Sequence, residues 1–425
     1  MFHIIRDAWK IPDLRKKMLY TLMMLVVFRL GTFIPVPGLD KTVLANLVSG
    51  DNANSLFALM NSFSGGAFAN ATIFAMSITP YINSSIILQL LTVAIPALER
   101  ISKEGEEGRK KIAAWTRYGT IILAIIQATG LYFGIKGAVV STQHWLLSYI
   151  TIVASFTAGT AFLMWLGEKI TEKGVGNGIS MIIFGGIVSG IPNGVYGLYE
   201  NFKAGSLNIW ALIAIAVLAL AMVAFVVFIN DAERRVPVQY AKRMVGRKMY
   251  GGQSTHIPIK VSMAGVIPII FAMSIMSFPA TIMSFINTTP TGFWAWLLKV
   301  LSPTHWFYVV MYVLLIVFFT YFYTAIQFNP IEIANNMKKN GGFVPGIRPG
   351  KPTSDYISRI LSKITLTGAL FLGLIAALPL ILGMFLNFQI SIGGTSMLIM
   401  VGVALETVKQ IESQMLMRHY KGFLE

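Results

Sequence analysis

The chain has 425 residues, 55% of them hydrophobic and only 12% charged, against about 25% charged in an ordinary soluble domain. That balance excludes a soluble globular enzyme, and the absence of cysteine excludes disulfides, thiolate metal sites and thiol catalysis. A net charge of +16 leaves a basic face suited to anionic lipid or nucleic acid.

Residues 1 to 17, MFHIIRDAWKIPDLRKK, predict an amphipathic helix on a membrane surface, with Phe2, Ile5, Trp9 and Leu14 apolar. The charged lead is long and no small-residue cleavage site follows, so it is not read as a signal peptide. A spanning helix needs about 20 mostly apolar residues to cross about 30 Å of hydrocarbon. Ten such windows follow, roughly at 19–34, 72–95, 113–135, 146–166, 178–195, 208–229, 262–286, 306–326, 361–386 and 392–411. An even number puts both termini on one side. The N-terminal arm, the loops after spans 2, 4, 6 and 8 with their adjoining span ends, and the tail hold every Lys and Arg except Arg29, Lys41, Lys136, Lys203 and Lys299. That side is therefore expected to be cytoplasmic. The expected architecture is an all-α membrane protein of two halves, 1–195 and 196–425, with five spans each and hence opposite orientations.

The spans carry almost no ionisable residues, which a coupled transporter uses to bind its ion. Arg29, near the end of span 1, is expected to snorkel to the outer interface or to pair locally. Glu406 lies near the inner end of span 10, and no His has a partner at metal-ligand spacing. No His-Glu-x-x-His, Gly-x-Ser-x-Gly or Walker-type loop is present. KGVGNGIS at 173–180 has the glycine spacing of a phosphate-binding turn but no preceding strand, so it is read as a flexible turn that starts span 5. No catalytic residue, metal or cofactor is expected.

Two spans are interrupted at corresponding places in the two halves. Span 2 carries Pro80 and Asn83, and span 7 carries Pro268 and Pro279; such paired breaks mark working sites in inverted repeats. Ile78 and Ile82 are four residues apart, as are Ile183 and Ile187, each pair on one helical face. By itself that spacing fits lipid or packing contact as well as a site. The segment DNANSLFALMNSFSGGAFANAT before span 2 fits either an interfacial loop or a re-entrant element shielded by protein.

Two long basic loops follow. The loop after span 6 alternates apolar and polar residues around 236–240, a hairpin pattern, and carries Arg234, Arg235, Lys242, Arg243, Arg247 and Lys248. The loop after span 8 has a short helical pattern and then GGFVPGIRPG, whose Gly and Pro specify a backbone shape. Connectors of this length are usually functional, and a shaped basic protrusion suits a phosphate-rich partner.

At these loops the sequence closely resembles the SecY family, the central subunits of the bacterial protein-translocation channel. ITPYINSSIILQLL, EKGVGNGISMIIFGGI, PVQYAKR, GGQSTHIPIKVSMAGVIPIIFA, FNPIEIANNMKKNGGFVPGIRPG and GGTSMLI carry the resemblance, in matching order over nearly the whole chain. It implies a clamshell of two halves around an hourglass pore that passes unfolded secretory polypeptide across the cytoplasmic membrane and releases hydrophobic segments sideways into lipid. A pore ring of Ile78, Ile82, Ile183, Ile187, Ile270 and Ile399 is implied. So are a plug over about 55–70 with Phe57, Asn61, Phe63, Gly65 and Gly66, and a lateral gate with Pro80, Asn83, Gln127, Ser274 and Phe278. Arg348, with the six basic residues of the earlier loop, would engage the SecA ATPase and the ribosome. SecE and SecG subunits are implied as companions, and the energy would come from partners. A small-solute transporter is the competing reading, disfavoured by the bare spans and long loops; an intramembrane enzyme lacks any nucleophile, base or metal set.

Overall fold

The computed structural model describes all residues except 1, 50–56, 58–59, 62–63, 141–143, 206–207, 241–242, 246–247, 251–253, 264, 285–295, 297–299, 301, 303–304, 387–393 and 422–425. The chain opens with α1 (Phe2–Lys10) and α2 (Pro12–Gly31). The single helix expected over residues 1–17 is thus two, because a proline pushes the residue before it out of the helical region; Ile11 has φ −87° and ψ 115°. Ala8 and Leu14 join Ile411 in a small buried cluster, while Ile5 and Trp9 stay exposed.

The first half continues with α3 (Lys41–Ser49), α4 (Thr79–Ala94), α5 (Pro96–Lys103), α6 (Glu106–Gly134), α7 (Trp145–Lys173) and α8 (Gly178–Lys203). At Pro96 the same effect turns α5 by 103° from α4. The second half has α9 (Ile209–Asp231), α10 (Ile267–Ser284), α11 (Trp306–Gln327), α12 (Pro330–Lys339), α13 (Lys351–Leu386) and α14 (Gly394–Lys421). Five of the described helices are long and apolar enough by themselves to cross a membrane, and a sixth counts if α4 and α5 form one bent span. Each of the ten apolar windows overlaps a described helix, although α2 carries Arg15, Lys16 and Lys17 in its first half.

Helix pairs α4–α6, α6–α7, α7–α8 and α2–α7 pack within the first half; α10–α11, α11–α13, α13–α14 and α9–α14 pack within the second. Contacts between halves run through α4–α10, α6–α10, α8–α14 and α1–α14. Window 72–95 is helical only from Thr79. Residues 64–78 are an irregular, deeply buried run, with Ala67, Phe68, Phe74 and Ile78 at 0 to 2% exposure. Positive φ at Ala71 and Ser77 interrupts any helix there. The run rests directly on α7 at Gly159, where a β-carbon would lie 2.0 Å from the Ile73 carbonyl oxygen.

The turn 174–177 is fastened rather than flexible. Val175 is buried and its N–H donates to Thr21 Oγ1 at 2.9 Å, and Asn177 Oδ1 accepts from the Ile179 and Ser180 amides at the start of α8, as an N-cap does.

The two long loops fold as one lobe. β1 (Glu233–Tyr240) pairs antiparallel with β4 (Ser254–Lys260), Val236 opposite Ile257, so the predicted hairpin pattern is realised. β5 (Gly342–Phe343), from the loop after α12, adds to the other edge of β1, Gln239 opposite Phe343. A separate ribbon pairs β2 (Arg243–Val245) with β3 (Lys248–Tyr250). Val236, Val238, Ile259, Met337, Val344 and Ile357 form the core of the lobe. Here, unlike among spans in lipid, burial out of water drives folding, at about 1.5–3 kcal/mol for each large apolar side chain.

Candidate functional site

Four elements bring the predicted isoleucines together. Ile183 and Ile187 on α8 and Ile399 on α14 are 3%, 4% and 0% exposed and belong to one apolar cluster, against which Ile82 of α4 and Ile270 of α10 pack. Ile78 is 1% exposed in the adjoining cluster with Phe28, Ala67 and Phe74, and Ile82 touches both clusters. Ile86, one turn beyond Ile82, is buried in the first cluster as well; it has the same spacing, and sequence reasoning passed over it.

The seam between α4 and α6 on one side and α10 and α11 on the other is closed by packing and, among the described residues, by a hydrogen bond between α11 and α4. Tyr323 Oη on α11 donates to Gln89 Oε1 on α4. The Phe271 ring of α10 meets Tyr323 edge-on at 5.0 Å and Phe319 at 5.7 Å. Within the first half, Ser84 Oγ donates to the Thr116 carbonyl at 2.9 Å, tying α4 to α6. Pro80 is buried and Asn83 half-buried in the first turn of α4, where proline sacrifices no helical hydrogen bond. Gln127 on α6 and Ser274 on α10 are half-buried. Only the backbone of Phe278 is described.

The segment before α4 packs mainly in a third apolar cluster with α6 and α7, while Ala67 joins the cluster of Ile78. Phe57 is 5% exposed and stacks on Phe68 at 5.1 Å. Asn61 organises the turn that follows: its carbonyl accepts from Gly66 N and its Oδ1 from Ala69 N, both at 2.9 Å. Gly65 and Gly66 have φ of +65° and +87°, a left-handed conformation that glycine adopts without strain. At Gly65 the backbone lies so close to α8 that a β-carbon would sit 2.6 Å from Ser189 Oγ and 3.1 Å from Gly186 Cα. Arg29 of α2 points inward, donating to the Gly65 carbonyl at 2.8 Å and to Ser189 Oγ at 3.2 Å. Of its two expected fates the local pairing is observed, with a partner 36 residues away in sequence. Phe63 lies outside the described residues.

On the lobe, Arg348 is exposed in a braced turn. Ile347 N donates to Val344 O at 3.0 Å, Thr353 Oγ1 donates to the Arg348 carbonyl at 2.8 Å, and Val344 is buried. Arg234 and Arg235 are exposed on β1, and Arg235 Nε pairs with Glu233 at 2.7 Å. Arg243 and Lys248 lie on the β2–β3 ribbon, described for backbone only, and Lys242 and Arg247 lie outside the described residues. Among the described residues no three His, Asp or Glu side chains gather as a metal site.

Long apolar helices packed around a buried apolar cluster, with an irregular buried segment beside it and a basic lobe formed by two loops, define a multi-pass α-helical membrane protein of channel type. Residues 72–408 match the SecY family model, and the chain belongs to that family. It is 49% identical to the protein translocase subunit SecY of Halalkalibacterium halodurans, over 100% of both chains. Among solved structures it resembles one reported for the plug domain of SecY, which stabilises the closed state of that translocation channel and maintains a membrane seal, with TM-score 0.67, 18% identity and 96% coverage of both chains. It also resembles Sec61 in the canine ribosome-channel complex from the endoplasmic reticulum, with TM-score 0.65, 17% identity and 96% coverage of both.

Proposed function

We propose that this chain is the central subunit of a protein-conducting channel in a bacterial cytoplasmic membrane. It passes unfolded secretory polypeptides outward and releases hydrophobic segments laterally into lipid. It crosses the membrane ten times, as two inverted five-helix halves with both termini in the cytoplasm. SecE and SecG are its companions, and SecA or the ribosome docks on the basic lobe at Arg348, Arg234, Arg235, Lys242, Arg243, Arg247 and Lys248. As a channel of this family it is not an enzyme.

The observation that carries this reading is the convergence of Ile82, Ile183, Ile187, Ile270 and Ile399 in one cluster, with Ile78 beside it and the Gly65 turn against α8 two residues beyond Ile187. A collar of branched apolar side chains excludes water when empty and has no fixed hydrogen-bond partner for any one substrate sequence. Residues at about 55–70 then act as a plug. The seam between α4 and α10, with Pro80, Asn83, Gln127, Ser274 and Phe278, acts as a lateral gate.

The decisive experiment uses single cysteines at Ile82, Ile187, Ile270 and Ile399, a clean design in a chain without cysteine. Crosslinks from all four to a stalled secretory chain, absent at lipid-facing Leu220, are expected. An assembled complex that crosslinks at none returns these residues to ordinary packing and favours the small-solute transporter.

The Gln89–Tyr323 contact spans the proposed gate. Tyr323→Phe keeps the ring and removes one hydrogen bond worth about 1 kcal/mol, so the open population of the seam should rise about fivefold. Distances between spin labels on α4 and α11 in lipid nanodiscs report it. An unchanged distribution would make the bond a packing detail.

A further inference from the structure

We propose that Arg29 is the residue that holds the plug shut, acting as a charged clasp between α2, α8 and the Gly65 carbonyl; this rests on reading residues at about 55–70 as a plug. A cation within a spanning helix is costly and tends to mark function, and the surroundings of Arg29 say what it does. One guanidinium nitrogen, Nη1, lies 2.8 Å from Gly65 O, 3.2 Å from Ser189 Oγ and 3.4 Å from Thr32 Oγ1, so its two N–H groups are shared among three acceptors. Each acceptor is oriented for the task. Ser189 Oγ spends its proton on Gly186 O at 2.7 Å, and Thr32 Oγ1 spends its proton on Arg29 O at 2.6 Å. Both hydroxyls therefore present lone pairs to the cation. Arg29 also occupies the last turn of α2, where the helix end carries partial negative charge, and its Cζ lies 4.9 Å from the Phe33 ring centroid, within cation–π range.

The site also explains why residue 65 lacks a side chain. A β-carbon there would collide with Ser189, and φ is +65°, so the peptide comes within reach of Arg29 only as glycine. Among the described residues, every hydrogen-bond partner of Arg29 is a neutral oxygen and it makes no ion pair. That distinction sets how the clasp behaves. A buried ion pair broken by departure of one member leaves an unpaired charge, a large penalty. A cation losing one carbonyl keeps Ser189 and Thr32 and can take a water in the opened vestibule, so the plug is held but releasable.

The test uses the assembled channel complex in proteoliposomes. A single cysteine replacing Ala67, which is 0% exposed, reports plug displacement through its labelling by a membrane-impermeant maleimide added from the plug side, and ion flux of the idle complex is measured in parallel. Arg29→Gln should raise both about tenfold, the population shift expected for loss of a hydrogen bond to a charged group. Ser189→Ala should raise both by a smaller factor, and Arg29→Lys should restore most of the seal, because an ammonium still reaches a carbonyl. Deletion of residues 57–67 tests the plug separately: if flux is unchanged by deletion, the plug reading fails. If deletion raises flux while Arg29→Gln changes neither labelling nor flux, the clasp is overturned and the plug stands. Should Arg29→Gln fail to accumulate, Ser189→Ala decides, and wild-type labelling in that variant overturns the clasp.

Discussion

Reversal of Arg348 to glutamate is expected to lower translocation of a secretory precursor into membrane vesicles by about thirtyfold or more while the protein still inserts and accumulates. The fold gives the reason for both halves of that expectation. The Arg348 side chain is exposed, and the turn is held through its backbone, by Thr353 on the Arg348 carbonyl and by Ile347 N on Val344 O. The substitution therefore leaves the lobe's own hydrogen bonds and its core of Val236, Val238, Ile259 and Val344 intact. What changes is the sign of the charge displayed at a fixed point on a lobe that also exposes Arg234 and Arg235. Losing a charged contact in a docked interface costs about 2–5 kcal/mol, and about 2 kcal/mol already corresponds to roughly thirtyfold in affinity. Arg348→Lys should be intermediate, since lysine keeps the charge and loses the planar fork that binds phosphate or carboxylate bidentately. Wild-type transport by Arg348→Glu, with SecA or ribosome binding undiminished, would remove this residue from the interface.

How much of this was legible in the sequence follows from what each signal measures. Hydropathy marks which stretches are removed from water, and it located α7, α8, α9, α11 and α13 within a few residues, apart from an earlier start to α13 and late ends to α7 and α8. It does not distinguish a helix in lipid from an irregular chain buried in protein. Residues 72–78 are therefore apolar without being helical: their side chains are covered by α7 and by the chain after α2, where Ile73 N donates to Ile34 O at 3.1 Å. Strand alternation was readable in β1, which has eight residues with Val236 and Val238 facing inward. β5 has two residues, too few for any period, so the joining of the two loops into one sheet had no local signal. The proposed gate shows the same limit. Gln89 on α4 and Gln127 on α6 are both amides within apolar helices, and only the facing of α4 toward α11 decides that Gln89 meets Tyr323. Arg29 was visible as an anomaly, but its partner at Gly65 depends on the turn that Asn61 organises.

Replacing Ile187 and Ile399 together with asparagine is expected to make the idle channel leak. Both side chains are nearly inaccessible, at 4% and 0%, and come from different halves, so in the proposed ring each amide would enter the constriction from its own side. An empty apolar constriction stays closed to ions because water inside it gives up hydrogen bonds without replacement. Two amides restore partners for that water, and a barrier lower by about 1.4 kcal/mol is tenfold in conductance. The difficulty is that burying a polar group in place of an isoleucine also destabilises, by about 2–5 kcal/mol for the lost apolar volume. The comparison is therefore Ile316→Asn on α11, a position equally buried at 0% in the same cluster and outside the proposed ring. Both variants should lower the unfolding temperature of the detergent-solubilised complex, and only the ring variant should raise single-channel conductance in a planar bilayer at least tenfold. Equal leakage from the Ile316 variant would show that loosened packing alone opens the pore, and would deprive the ring of its special status. A silent ring variant, folded and assembled, would place the hydrophobic barrier elsewhere along the path, with the segment seated at Gly65 as the next barrier to test.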